Sequence, residues 1–226
     1  MNNSVFLDEI IDNYYKSIGD GYKNSYLPGQ IVWTYFFYNY ENLEFWRPSS
    51  FDETCTRATS FEICSSAKDL FNRQTPLILP RLEIDEEFIV IRAKWRPAIL
   101  ITPPPAKISV PPIRRGGKVN LKLCLLAPLF SLEDKHGNAK YSSEFVNRIR
   151  KLEYSHLFFL PEHEHRNIRN SLCRFDRIFS NYYTHLDLID LYLSGEALDI
   201  FISQIKCYLT GIIEGDYKVA HETLNT

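Results

Sequence analysis

Apolar positions recur at helical spacing chiefly towards the two ends of this chain. Over residues 4–18, Phe6, Ile10, Ile11, Tyr14 and Ile18 fall on one face with acids between them, which predicts a short amphipathic helix. Near the other end Ala197, Leu198, Phe201, Ile202, Ile205 and Leu209 repeat at three and four, and Gly211 follows as a C-cap, so a helix is predicted over 195–211. Between them the apolar runs are dense in β-branched and aromatic residues and read as strands. QIVWTYFFYNY, after the Pro28–Gly29 break, reads as a central strand. EEFIVIRAKWRPAILITPPP reads as two strands parted near 93–96, the second running over 97–102 and stopped by Pro103, Pro104 and Pro105. VNLKLCLLAPLFSL is expected to close at Pro128 or shortly after, HLFFLP and SLCRFDRIFSNYY add two more strands, and 143–152 reads as a short helix or strand-flanking segment. Residues 41–87 mix a polar stretch, a helical pattern near 62–73 and the proline-bounded PLILPRLEI. Strands of uneven spacing with helices at the ends do not alternate as a doubly wound fold requires. They predict a small, strongly bent antiparallel barrel or an α+β sheet.

Composition sharpens this picture at one point. Phe, Tyr and Trp make up 14% of the 226 residues, enough for an aromatic core and for rings left at a binding surface. The five cysteines, Cys55, Cys64, Cys124, Cys173 and Cys207, form no CxxC pair and read as buried thiols in a reducing compartment. The acidic N-terminus lacks the pattern of a signal peptide, and no stretch reaches 18 apolar residues without charge, so a cytoplasmic protein with no membrane span is expected. The net charge of −2 hides a separation: from Phe88 to Leu132 there is no acid, while Arg92, Lys94, Arg96, Lys107, Arg114, Arg115, Lys118 and Lys122 are basic. Such a segment can focus a positive field on one face.

Few residues carry chemistry by spacing alone. His163 and His165 in PEHEHRNIR lie two apart with no HExxH or cysteine partner, so a polar surface loop is expected and no metal. The RRGGK run lacks the GxxxxGK[ST] of a P-loop, no GxSxG elbow surrounds Ser131 or Ser171, and no cofactor motif is found. Arg96 stands out because it lies between Trp95 and Pro97 at the start of an apolar strand, where a guanidinium can present a rigid fork of donors to a phosphate.

The order GQIVWTYFF, KWRPAILIT, LKLCLLAPLFS, SLCRFDRIF and LSGEALDIFISQIKCYLTG resembles the MazF/PemK family of mRNA interferases over somewhat more than half the chain. That resemblance implies an SH3-like barrel with appended helices, its core at about 28–40 and 88–180, an insertion at about 41–87 and a C-terminal helix at about 195–211, all in one domain spanning 1–226. It implies an endoribonuclease toxin that cleaves single-stranded RNA by metal-independent transesterification, with a cognate antitoxin and a homodimer as partners. Arg96 matches the arginine of the family's RP and would stabilise charge on the phosphate. The family's catalytic threonine falls on Phe130, with Ser131 one residue away as its substitute. Trp95, Arg114, Arg115, Lys118, Arg174 and Arg177 are the expected substrate contacts. Phe130 at the threonine position also supports an alternative, a non-catalytic module that keeps the barrel and binds nucleic acid or a protein.

Overall fold

The structure, a computed structural model, describes residues 5–38, 43–54, 58–65, 86–103 and 123–226. Its strands are β1 (Tyr15–Lys16), β2 (Gln30–Phe37), β3 (Glu44–Phe51), β4 (Ala58–Cys64), β5 (Ile89–Val90), β6 (Ala93–Thr102), β7 (Leu123–Ser131), β8 (Leu157–Leu160), β9 (Ser171–Arg174), β10 (Phe179–Tyr182) and β11 (Asp187–Leu193). Its helices are α1 (Leu7–Ile10), α2 (Ser143–Arg150), α3 (Gly195–Thr210) and α4 (Gly215–Leu224). The chain divides into two units, Met1–Thr34 with Trp95–Thr226, and Tyr35–Lys94.

Eight of these strands form one antiparallel sheet in the order β1-β11-β2-β6-β7-β9-β8, with β10 also paired to β7. The fold is α+β, a curled and open sheet with appended helices. Bulges between Leu188 and Tyr192 on β11 and between Leu100 and Thr102 on β6 tighten the curl. Among the described residues no ladder joins β1 to β8, the two ends of this path. Side chains join them instead: the Tyr14 hydroxyl donates to the Phe159 carbonyl at 2.5 Å and the Tyr15 hydroxyl to the Pro161 carbonyl at 2.6 Å. Burial pushes both phenols well above their ordinary pKa, so each stays a neutral donor.

This seam explains why the helix expected over 4–18 is cut to α1. An extended backbone from Ile11 onward lets Tyr15 and Lys16 pair with Leu193 and Tyr192 of β11, while Leu7, Ile11 and Tyr14 remain buried in the main core. Tertiary pairing thus overrides a periodic pattern too short to hold a helix by itself. A bidentate ion pair from Arg150 to Asp8, at 2.7 Å for each contact, ties α1 to the end of α2.

The main core lies between one sheet face and α3. Phe201 meets Phe158 and Phe175 edge-on at 5.2 and 5.4 Å, and the buried Gln204 donates to the Tyr154 and Leu157 carbonyls at 2.8 and 2.9 Å. Ser194 caps the helix start by accepting from the Ala197 N–H, and Gly211, at φ 74°, ends it in the left-handed region. α4 folds back through the Tyr217 N–H, which donates to Ser203 Oγ at 2.8 Å. Cys124, Cys173 and Cys207 are free and buried, and burial raises each thiol, Cys124 to about 11, which leaves them inert. Among the described residues no helix is long and apolar enough to cross a membrane.

The second unit holds the three-stranded sheet β4-β3-β5. Trp46 stacks on Phe61 with ring centroids 4.1 Å apart, and the well-buried pair Arg47–Glu87 closes at 2.8 Å. The helical pattern near 62–73 begins inside β4, whose pairing with β3 keeps the chain extended to Cys64. The remainder of that pattern, the PLILPRLEI segment and Cys55 lie outside the described residues.

Two strand limits differ from the sequence reading, while β7 ends at Ser131, shortly after Pro128 as expected. β6 is one strand through Pro97. The second difference is that SLCRFDRIFSNYY is two strands, β9 and β10, parted by a 3-10 turn at Phe175–Arg177. On one edge β7 pairs with β10 up to Leu126 and with β9 from Leu129, so Pro128 falls in the break where no partner asks for its N–H.

If the tyrosine seam holds the curl, Tyr14→Phe, which keeps the ring and removes only the buried donor, should destabilise the fold by about 1 to 2 kcal/mol. Urea unfolding followed by far-UV circular dichroism measures this, and an unchanged midpoint would show that the seam contributes nothing.

Candidate functional site

The register of β6 on β7 decides what Arg96 does. Ala98 lies opposite Pro128, and because proline has no N–H these two cannot exchange a pair of bonds. The bonded positions are therefore the next pairs out, Ile99 with Ala127 and Pro97 with Leu129. In the second of these Pro97 has no N–H to give to the Leu129 carbonyl. The guanidinium of the preceding residue fills that place: Arg96 Nη1 donates to the Leu129 oxygen at 3.2 Å. The Arg–Pro pair is thus a self-completing unit of the ladder.

The same guanidinium reaches Phe130, its carbon lying 4.4 Å from the centre of that ring. Arg96 is only 9% exposed. The Phe130 ring also takes Arg174, at 5.7 Å, from β9. Arg174 is aligned by two contacts to Asp176, Nε to Oδ1 at 3.0 Å and Nη2 to Oδ2 at 2.6 Å, and Arg177 Nε lies 3.6 Å from the same carboxylate. The hydrogen bonds from Arg174 hold the Asp176 carboxyl below its ordinary range. Arg96, Phe130, Arg174 and Arg177 therefore share one region of the sheet, although sequence distance separates them.

Ser131 does not join them. Strand alternation turns it to the face of Leu129, opposite that of Phe130 and Arg96. Its hydroxyl donates to the Glu133 carbonyl at 2.9 Å and accepts from the Glu133 N–H at 3.2 Å, which makes it a turn brace. The same alternation puts the half-exposed Trp95 on the face away from Arg96. Arg114, Arg115 and Lys118 lie outside the described residues.

A second cluster has almost no signature in the sequence. Where the seam between β1 and β8 opens, a cavity of about 290 Å³ is lined by Lys16, Ser17, His163, His165, Arg166 and Asp190, among others. Asp190, on β11, is buried and accepts from the Ser17 hydroxyl, from the Ile18 N–H at 2.8 Å and from the Gly19 N–H at 3.1 Å, with Arg166 Nη2 3.7 Å away. Burial raises the carboxyl, but these donors together outweigh it and hold Asp190 below the ordinary carboxylate value. His163 and His165 face each other edge-on at 6.2 Å, and Tyr15 packs on His163 at 5.5 Å. Among the described residues no three His, Cys, Asp or Glu side chains gather as metal ligands. The paired histidines are the only sequence signal of this cavity, since Lys16 and Asp190 lie far from them along the chain and reach them through the curl of the sheet.

No family model, curated protein or solved structure matches the chain.

Two outcomes test these arrangements. Arg96→Met should cost about 1 to 3 kcal/mol by orphaning the Leu129 carbonyl, and the cost should shrink in a Pro97→Ala background, where a backbone N–H returns. A double-mutant cycle by chemical denaturation reads the coupling, and additive losses would remove the brace. For Asp190, the lowered carboxyl contributes stability that is fully present above the unfolded value of about 4 and is lost as pH falls through the folded value. Thermal melts between pH 2 and pH 6 should show a shallower acid loss for Asp190→Asn than for wild type, and equal slopes would dismiss the assignment.

Proposed function

We propose that this chain is a non-catalytic module that binds single-stranded RNA on the face carrying Phe130, Arg174 and Arg177, built on an SH3-like barrel distantly related to MazF and PemK. One observation carries this reading: Phe130, not a hydroxyl, stands beside Arg96, while Ser131 is turned away and committed to Glu133. An apolar ring flanked by guanidinium groups offers stacking to a base and charge to the backbone, which is what unpaired RNA requires. Arg96 serves as the brace of that ring.

The second reading, an endoribonuclease toxin with a cognate antitoxin, a homodimer and a cytoplasmic site of action, is favoured by the position of Arg96 at the family's RP. Under it Arg96 would meet the phosphate, and a group other than Ser131 would assist the attacking 2′-hydroxyl.

Fluorescence anisotropy on labelled single-stranded RNA over a salt series separates the outcomes. Replacing Arg174 and Arg177 together with Gln should weaken binding for every sequence and flatten the log–log salt slope by about 0.7 for each phosphate no longer neutralised. An unchanged slope would confine these arginines to the Asp176 cluster. RNA recovered intact from incubation with wild type in chelator supports the module, whereas mapped cuts that vanish in Arg96→Lys would overturn it in favour of the enzyme.

A further inference from the structure

We infer that the cavity at the sheet seam is a binding site for a phosphate monoester. The site is independent of the RNA face proposed above. Its volume of about 290 Å³ is near the lower end for small-molecule pockets, right for a phosphate with a small group attached. Its position is the opening left where β1 and β8 meet through tyrosine hydroxyls rather than a ladder, the kind of mouth at which barrels hold ligands.

The charge balance selects the ligand. Lys16 and Arg166 are permanent cations and two imidazoles stand with them, against the single carboxylate of Asp190. That carboxylate is already met by a hydroxyl and two N–H groups from residues 17–19. Its remaining role is to orient Arg166, whose Nη2 lies 3.7 Å from it. A guanidinium held on one side presents its other donors as a fork, and Lys16 adds a mobile point charge. A phosphate, with several acceptor oxygens around one centre, is the complement of such donors.

A further observation comes from His163. Its Nδ1 is shut off from solvent and has no hydrogen-bond partner among the described residues, although the ring lines the cavity. A buried polar nitrogen without a partner is costly, and a turn of the ring towards the cavity would let an oxygen of a bound phosphate supply one. A metal is a poor alternative, since no set of three ligands gathers there among the described residues.

Isothermal titration of the full chain tests the assignment with four probes: inorganic phosphate, ribose 5-phosphate, and a short oligoribonucleotide in its 5′-phosphorylated and 5′-hydroxyl forms. Inorganic phosphate and at least one monoester should bind. The double variant Lys16→Gln, Arg166→Gln, with its fold checked by circular dichroism, should bind about tenfold or more weakly, as loss of two charge-assisted partners implies. Arg166→Lys should recover part of the loss, and Lys135→Gln, in the exposed turn after β7, should change nothing. Preference for the phosphorylated oligonucleotide over its hydroxyl twin would assign the ligand to RNA ends, and binding of ribose 5-phosphate without that preference would assign it to a free metabolite; both support the site. Absence of heat with inorganic phosphate and ribose 5-phosphate up to millimolar concentration together with no preference between the two oligonucleotides, or wild-type affinity for inorganic phosphate in the folded double variant, would overturn it. Failure here leaves the RNA face intact, because that face is read from the salt slope of Arg174 and Arg177 variants.

Discussion

The structure depends on how a strongly curled antiparallel sheet satisfies its two ends without a closing ladder. Buried backbone groups at an unpaired edge carry a cost of desolvation, and a closed barrel removes it by pairing every strand. Here β1 is only two residues long and cannot form a full ladder. The hydroxyls of Tyr14 and Tyr15 serve in its place, donating to carbonyls at Phe159 and Pro161. Because both phenols are raised by burial, neither loses its proton under ordinary conditions.

That solution has a geometric result. Ladder closure brings strands within about 5 Å of each other and leaves no space between them, whereas closure through side chains holds the ends apart beyond the tyrosines. The gap contains the cavity lined by Lys16, His163, Arg166 and Asp190. Asp190 links the two features, since its contacts to residues 17–19 fix the chain that leaves β1 and its partner Arg166 comes from the segment after β8.

Proline placement is the second theme. Pro97 and Pro128 lie near one another on adjacent central strands, an arrangement that would ordinarily break a sheet. Pro128 is accommodated by the interruption between β9 and β10, and Pro97 by the Arg96 side chain. The arginine that the sequence marks for phosphate chemistry therefore has a structural use that accounts for its burial. The Phe130 ring lying against it extends this role to the face that Arg174 and Arg177 share.

The sequence by itself determined the elements whose pattern is long or strongly punctuated. α3 is legible because six apolar positions repeat over about four turns and a glycine ends them, and β2 because eight residues, most of them β-branched or aromatic, follow a Pro–Gly break. It also placed Arg96, Phe130, Arg174 and Arg177 as residues of interest. Only the tertiary structure decided the rest. The N-terminal periodicity yielded to β1, since so short a pattern supplies less than pairing with β11 and burial of Tyr14 do. The face of Ser131 was hidden because a one-residue step reverses a strand side chain, and only the pairing of Ala98 with Pro128 sets that register. The seam cavity had no linear signature beyond two histidines, because residues near positions 16, 163 and 190 meet solely through the curl of the sheet.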